Sequence, residues 1–184
     1  VLDKSYARGC AAIKAIKSAQ RDEEAAVATA VPTTPTYPVA ALYVDAKGPY
    51  SALCAETYDI DRDARTFEGG MPVIAHPPCG PWGKLKGFCT NQDASTGPHA
   101  VQMVREHGGI LEHPVGSTLF AEMDIPVGDW DNPDRELDAW GGYTIRVKQW
   151  DLGHRGEKDT VLYIVGTEEL PVLLKRLDGE PIKV

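Results

Sequence analysis

Short apolar runs, each closed by a polar or reactive side chain and separated by helical or loop segments, govern what this chain can fold into. Val39 to Val44 reads as a buried strand ending at Asp45. Met71 to Ala75 reads as a second, followed by His76-Pro77-Pro78-Cys79. His99 to His107 places Ala100, Val101 and Val104 on one face, which predicts a helix closed by Gly108-Gly109. Ile110 to Glu112, Tyr143 to Val147 and Val161 to Val165 are the remaining expected strands. Continuous apolar strands alternating with helices predict an α/β fold with a mostly parallel sheet covered on both faces. Ligands of such sheets bind beyond the carboxyl ends of the strands. Asp45, Cys79 and Glu112 all stand at expected strand ends, and this coincidence is the main functional signal in the chain.

The first residues are of another kind. Leu2, Tyr6, Cys10, Ile13 and Ile16 recur at helical spacing among Ala, Lys, Arg and Glu, which predicts an amphipathic helix over residues 1 to 30. Pro32, Pro35 and Pro38 cannot continue it and favour an extended linker. The expected organisation is therefore an N-terminal helix and Pro-rich linker at 1–38, an arm for docking on the domain or on a protein partner, and an α/β domain at 39–184. Lys plus Arg number 19 against 27 Asp plus Glu, a formal charge of -8, which argues against a protein that coats duplex nucleic acid over its whole surface. No apolar run approaches the ~18–20 residues of a membrane span. Cys10, Cys54, Cys79 and Cys89 do not make a disulfide framework in a chain of 184 residues. With no charged-then-apolar leader, a cytoplasmic location is expected. Glu122, Asp124, Asp129, Asp131, Asp134, Glu136 and Asp138, together with Trp130 and Trp140, read as a solvated acidic loop.

Two prolines before Cys79 rigidify its turn and hold the thiol at the sheet edge, where it can be a nucleophile or a structural cysteine. Lys84 and Lys86 follow it closely. Glu112 is costly to bury unpaired, so it needs a task or a cation such as Arg146, Lys148 or Arg155. The loop from Trp150 to Thr160 concentrates His154, Arg155, Lys158 and Thr160, groups suited to a phosphate or an oxyanion. His76, Cys79, Cys89 and His113 leave a structural zinc site open, although the His-x-Glu then Pro-Cys-x-x-Cys order of zinc deaminases is not present.

Pro77-Pro78-Cys79, Glu112-His113-Pro114 and the Arg155 to Lys158 loop together resemble, in order, the Pro-Pro-Cys, Glu-Asn-Val and Arg-rich elements of DNA cytosine-5 methyltransferases. The chain is most similar to small phage-borne proteins of the cytosine methyltransferase-like kind, over about residues 41 to 177. The resemblance implies a reduced Rossmann-like methyltransferase sheet and cytosine-5 modification of DNA through a covalent cysteine adduct. It makes Cys79 the nucleophile, gives Glu112 the cytosine ring nitrogen, and assigns Arg155 and Lys158 to the base carbonyl or a phosphate. His76, Pro78, Trp82, His113 and Thr160 would line the substrate. Asp45, Gly48 and Asp61 would hold S-adenosylmethionine, and no metal is implied. The implied location is the host cytoplasm if the protein is phage-encoded. The loop after the first strand offers only Gly48 where the family has two glycines. That keeps two alternatives open: the same covalent chemistry on a free cytosine nucleotide or with another donor, and a non-catalytic phage binding or structural module on the same scaffold.

Overall fold

Strand β1, Tyr37–Leu42, begins inside the stretch expected to be linker, and Ala40, Ala41 and Leu42 are fully buried. A strand hidden on both faces belongs in the middle of a sheet, and small alanines let neighbouring layers approach it closely. The computed structural model describes residues 37–84, 86–89, 93–128, 136–152 and 158–167. The expected N-terminal helix therefore lies outside the described residues, as do Asp129, Trp130, Asp131, Asp134, His154 and Arg155.

After β1 come a single helical turn, α1 (Tyr50–Leu53), and strand β2 (Cys54–Tyr58). Strand β3 is Val73–Ala75, helix α2 is Thr96–His107 and strand β4 is Gly109–Pro114. A short helix α3 (Leu119–Glu122), strand β5 (Tyr143–Lys148) and strand β6 (Asp159–Val165) follow. They form a six-stranded mixed sheet in the order β2-β1-β3-β4-β6-β5. β2, β1, β3 and β4 pair in parallel, and β6 runs antiparallel to both β4 and β5. The sheet is thus mostly parallel, as expected, with β2 as an additional strand and β6 reversed. Among the described residues no helix is long and apolar enough to cross a membrane.

Helix α2 packs Ala100, Val101 and Val104 onto Leu42, Val73, Ala75, Leu111, Val161 and Tyr163 in the main core. Each large aliphatic sealed there contributes roughly 1.5–3 kcal/mol. The helix ends where Gly108, at φ 75°, donates its N–H to Val104 O. Gly109, at φ 124°, then turns the chain into β4 so closely that a Cβ would lie 1.9 Å from Val73 O. Only glycine fits there. On the opposite face a smaller cluster joins Ala41, Val44 and Cys54 to Tyr50 and Leu53 of α1. Ile74, Ile110 and Leu162, out of phase with the core-facing residues, are half-buried.

The acidic loop departs from its expected solvated state at Asp138. This carboxylate is 1% exposed, accepts from Arg105 at 3.1 Å and from the Tyr163 hydroxyl at 2.6 Å, and caps the Trp140 and Gly142 amides. Arg105 also donates to Met123 O and lies 3.6 Å over the Trp140 ring. A buried charge with this many partners is held in place rather than solvated.

Candidate active site

Parallel pairing puts the carboxyl ends of β1, β2, β3 and β4 on one edge of the sheet. The chain passes from β1 to β2 on one side and returns to β3 on the other, so the order reverses between β1 and β3. A crevice at such a reversal is where an open α/β sheet takes ligands. Because β6 is reversed, its amino-terminal end and the carboxyl end of β5 reach the same edge.

Register fixes the centre of the site. Ala75 pairs with Leu111, so the next residues, His76 and Glu112, lie side by side where β3 ends. His76 Nδ1 is 3.3 Å from Glu112 Oε2. The other carboxylate oxygen, Oε1, accepts from Thr160 Oγ1 at 3.0 Å, Gln149 Nε2 at 3.1 Å and Lys158 Nζ at 3.2 Å. Gln149 Nε2 also donates to Thr160 Oγ1 at 2.9 Å, locking the two donors together. Burial alone would push the Glu112 carboxyl up. The His76 hydrogen bond, the Lys158 charge and the Thr160 hydroxyl outweigh it and draw it down to about 2, so the group is a carboxylate at neutral pH. Lys158 stands at this carboxylate as a cation the sequence had not paired with it, and the expected Arg155 lies outside the described residues.

Across the crevice, Tyr50 of α1 reaches His76. Its hydroxyl is 2.6 Å from His76 Nε2, and the rings lie 5.2 Å apart. Removal from water, helped by Cys54 and Glu112, raises the Tyr50 pKa, so it keeps its proton. An ionised carboxylate only accepts, so in the neutral His76 ring Nδ1 carries the hydrogen and Nε2 is left to accept from Tyr50.

Cys79 is exposed on the turn after β3, and its carbonyl accepts from Trp82 N at 3.1 Å and Gly83 N at 2.8 Å. This turn presents the thiol to solvent on the edge that holds His76. Pro78 is exposed beside it. Trp82 and His113, expected to line the substrate, instead enter the core at 4% and 0% exposure. His113 follows Glu112 in β4, so strand alternation sends it to the α2 face, where its ring meets the edge of Phe120. Burial drives its pKa down to about 4. The Pro78 backbone pulls the other way, yet neither ring nitrogen has a partner in hydrogen-bonding geometry. With His113 turned away, His76, Cys79 and Cys89 do not join it in a ligand set, and among the described residues no three metal-capable side chains assemble.

Asp45 and Gly48 form a tight turn at the end of β1, with Gly48 N donating to Asp45 O at 2.9 Å and Lys47 N to Asp45 Oδ1 at 2.9 Å. Asp61 is exposed beyond the end of β2, its amide held by Asp59 Oδ1 at 2.9 Å. These carboxylates stand at the ends of adjacent strands, and their acceptor chemistry fits the hydroxyls and amine of a nucleoside-bearing cofactor. Sequence reasoning missed Tyr50 and Gln149. Both belong to short helical turns between strands, and neither carries a motif.

No protein-family model matches the chain, and neither does any curated protein or solved structure.

Proposed function

We propose that this edge carries out covalent chemistry on the cytosine ring, with methyl transfer to carbon 5 of cytosine in DNA as the reaction. The observation that carries the reading is the ionised Glu112 beside His76, on the strand next to the turn that exposes Cys79. The Cys79 thiolate adds to carbon 6, and the carbon 5–carbon 6 π pair moves toward carbon 5. Glu112 accepts from the exocyclic amine and offsets positive charge as ring nitrogen 3 takes a proton from solvent water. Lys158, partly exposed and 3.2 Å from Glu112, would contact the base carbonyl or a phosphate. A duplex cytosine must leave its stack to be reached. Asp45, Gly48 and Asp61 are the residues that would hold S-adenosylmethionine, which supplies an electrophilic methyl group when bound. The sheet order, with β6 reversed between two strands of the other sense, supports a reduced Rossmann-like methyltransferase sheet.

A second reading keeps the chemistry and changes the substrate to a free cytosine nucleotide. It is favoured by the formal charge of -8, which weakens attraction to a polyanion. Incubation with S-adenosylmethionine and an oligonucleotide containing 5-fluorocytosine, and in parallel with 5-fluoro-dCMP, tests both, since methylated carbon 5 bearing fluorine has no proton to lose and holds the adduct. A protein-sized mass increase on either is expected, absent in Cys79→Ala. An adduct that persists in Cys79→Ala, or none on either substrate, overturns the assignment.

A further inference from the structure

We propose that Tyr50 and His76 form the proton relay of this site, with Tyr50 the group that exchanges a proton with carbon 5 of the cytosine. The inference rests on the covalent-cytosine reading and adds a role to a residue that the sequence motifs leave out.

Three features point to it. The first is alignment: the phenol, the imidazole and the carboxylate are joined in series, Tyr50 to Nε2 at 2.6 Å and Nδ1 to Glu112 at 3.3 Å. The second is polarity. Glu112 cannot donate, so it fixes the hydrogen on Nδ1 and leaves Nε2 as a base for the Tyr50 proton, the logic by which a buried carboxylate orients a catalytic histidine. The third is position. Tyr50 comes from the β1–β2 connection and His76 from the end of β3, so their contact spans the strand-order reversal where a ligand would sit. Glu112 itself is a weak proton donor, since Oε1 already accepts from three groups and the carboxylate is ionised. The acid–base work therefore falls to its neighbours.

The step balances without a cofactor. In the adduct, the pair on carbon 5 takes the Tyr50 hydroxyl proton, which solvent water replaces by way of Nε2 of His76, giving a saturated carbon 5–carbon 6 bond. In the reverse direction the Tyr50 oxygen receives hydrogen from carbon 5 while its own proton passes to Nε2 of His76. The resulting imidazolium faces the Glu112 carboxylate and returns its extra proton to solvent water. The carbon–hydrogen pair re-forms the double bond, and the carbon 6–sulfur pair leaves with the Cys79 thiolate.

The test is release of tritium to water from an oligonucleotide carrying 5-tritiated deoxycytidine, with no methyl donor added. Adduct formation with the 5-fluorocytosine oligonucleotide, in a separate mixture that contains S-adenosylmethionine, is measured alongside. Tyr50→Phe is expected to slow tritium release about 100-fold, the usual scale of general acid–base catalysis, while still forming the Cys79 adduct. His76→Gln is expected to do the same. Adduct formation with undiminished release in Tyr50→Phe overturns the relay and leaves the covalent reading standing. Failure of the unaltered protein to form any adduct overturns both. Nitrogen-15 NMR of the imidazole gives a readout independent of substrate and of variant folding: the Nδ1–H tautomer of neutral His76 is expected, and the Nε2–H tautomer overturns the relay.

Discussion

A carboxylate mostly removed from water yet still ionised has to be compensated by its surroundings, and Glu112 has four compensating groups. Its pKa falls from an ordinary 4.5 to about 2, so it stabilises the fold above pH 4.5 and loses that contribution as pH drops toward 2. The contribution is on the order of 3 kcal/mol. Glu112→Gln is expected to lower stability by that order at pH 7 in urea unfolding, with the difference from the unaltered protein closing toward pH 2. His113, next in sequence, behaves differently. Its folded pKa of about 4 lies below its ordinary 6.5, so the unfolded chain binds the proton first and stability declines as pH falls from 6.5 to 4. His113→Leu is expected to flatten that decline without loss at pH 7, since it removes two unpaired buried nitrogens. A slope unchanged between pH 6.5 and 4 would count against it. The two windows barely overlap, so the substitutions can be told apart in one pH series. Glu112 and His76 were legible from their places at expected strand ends, and Lys158 and Thr160 from the charged loop before the last expected strand. The sense in which His113 points was not, because it depends on which face of β4 the core chooses.

At the scale of elements, Gly108-Gly109 was readable as a helix stop because two consecutive glycines terminate periodicity. The reason Gly109 tolerates nothing larger emerges only from the neighbouring β3 backbone. Gly109→Ala is expected to cost about 3 kcal/mol or more, since the methyl group collides with Val73 O and the residue keeps a positive φ. A shift of the urea midpoint by less than a third of that would show that the β3–β4 junction can move aside. Strand β2 escaped the sequence reading for a plain reason. Cys-Ala-Glu-Thr-Tyr buries only Cys54 and Tyr58 at the edge of the sheet, so it lacks the continuous apolar run of the inner strands. The reversal of β6 was equally hidden in composition, although the ten residues between β5 and β6 are too few for a crossover helix.

Across the whole molecule, the proposed site and the main structural ion pair stand apart. Arg105, Asp138 and Tyr163 tie α2, the β4–β5 connection and β6 together, whereas Tyr50, His76, Glu112, Gln149, Lys158 and Thr160 gather at the carboxyl edge. Asp138→Ala leaves the Arg105 charge, 8% exposed, without its carboxylate, and is expected to cost about 3–5 kcal/mol. The Cys79 adduct formed per folded molecule is expected to be unchanged, as mass spectrometry at a temperature well below the transition would read. A parallel loss of adduct would show that the two clusters are coupled. The sheet class and strand-end chemistry were open to sequence reasoning because burial and turn formation act locally. The buried Asp138 was not, because its partners lie 25 and 33 residues away and only folding brings them near.

The reversed β6 also imposes an order of assembly during synthesis. Thr160 follows Glu112 by 48 residues, and Gln149 and Lys158 also emerge later, so a nascent chain that has made β4 holds an acid with only His76 of its counterparts in place. Packing that acid early would bury an ion with most of its donors missing, so this edge is expected to close only when the β5–β6 hairpin arrives. Strand β6 therefore completes the described sheet and the donor set of Glu112 in the same moment.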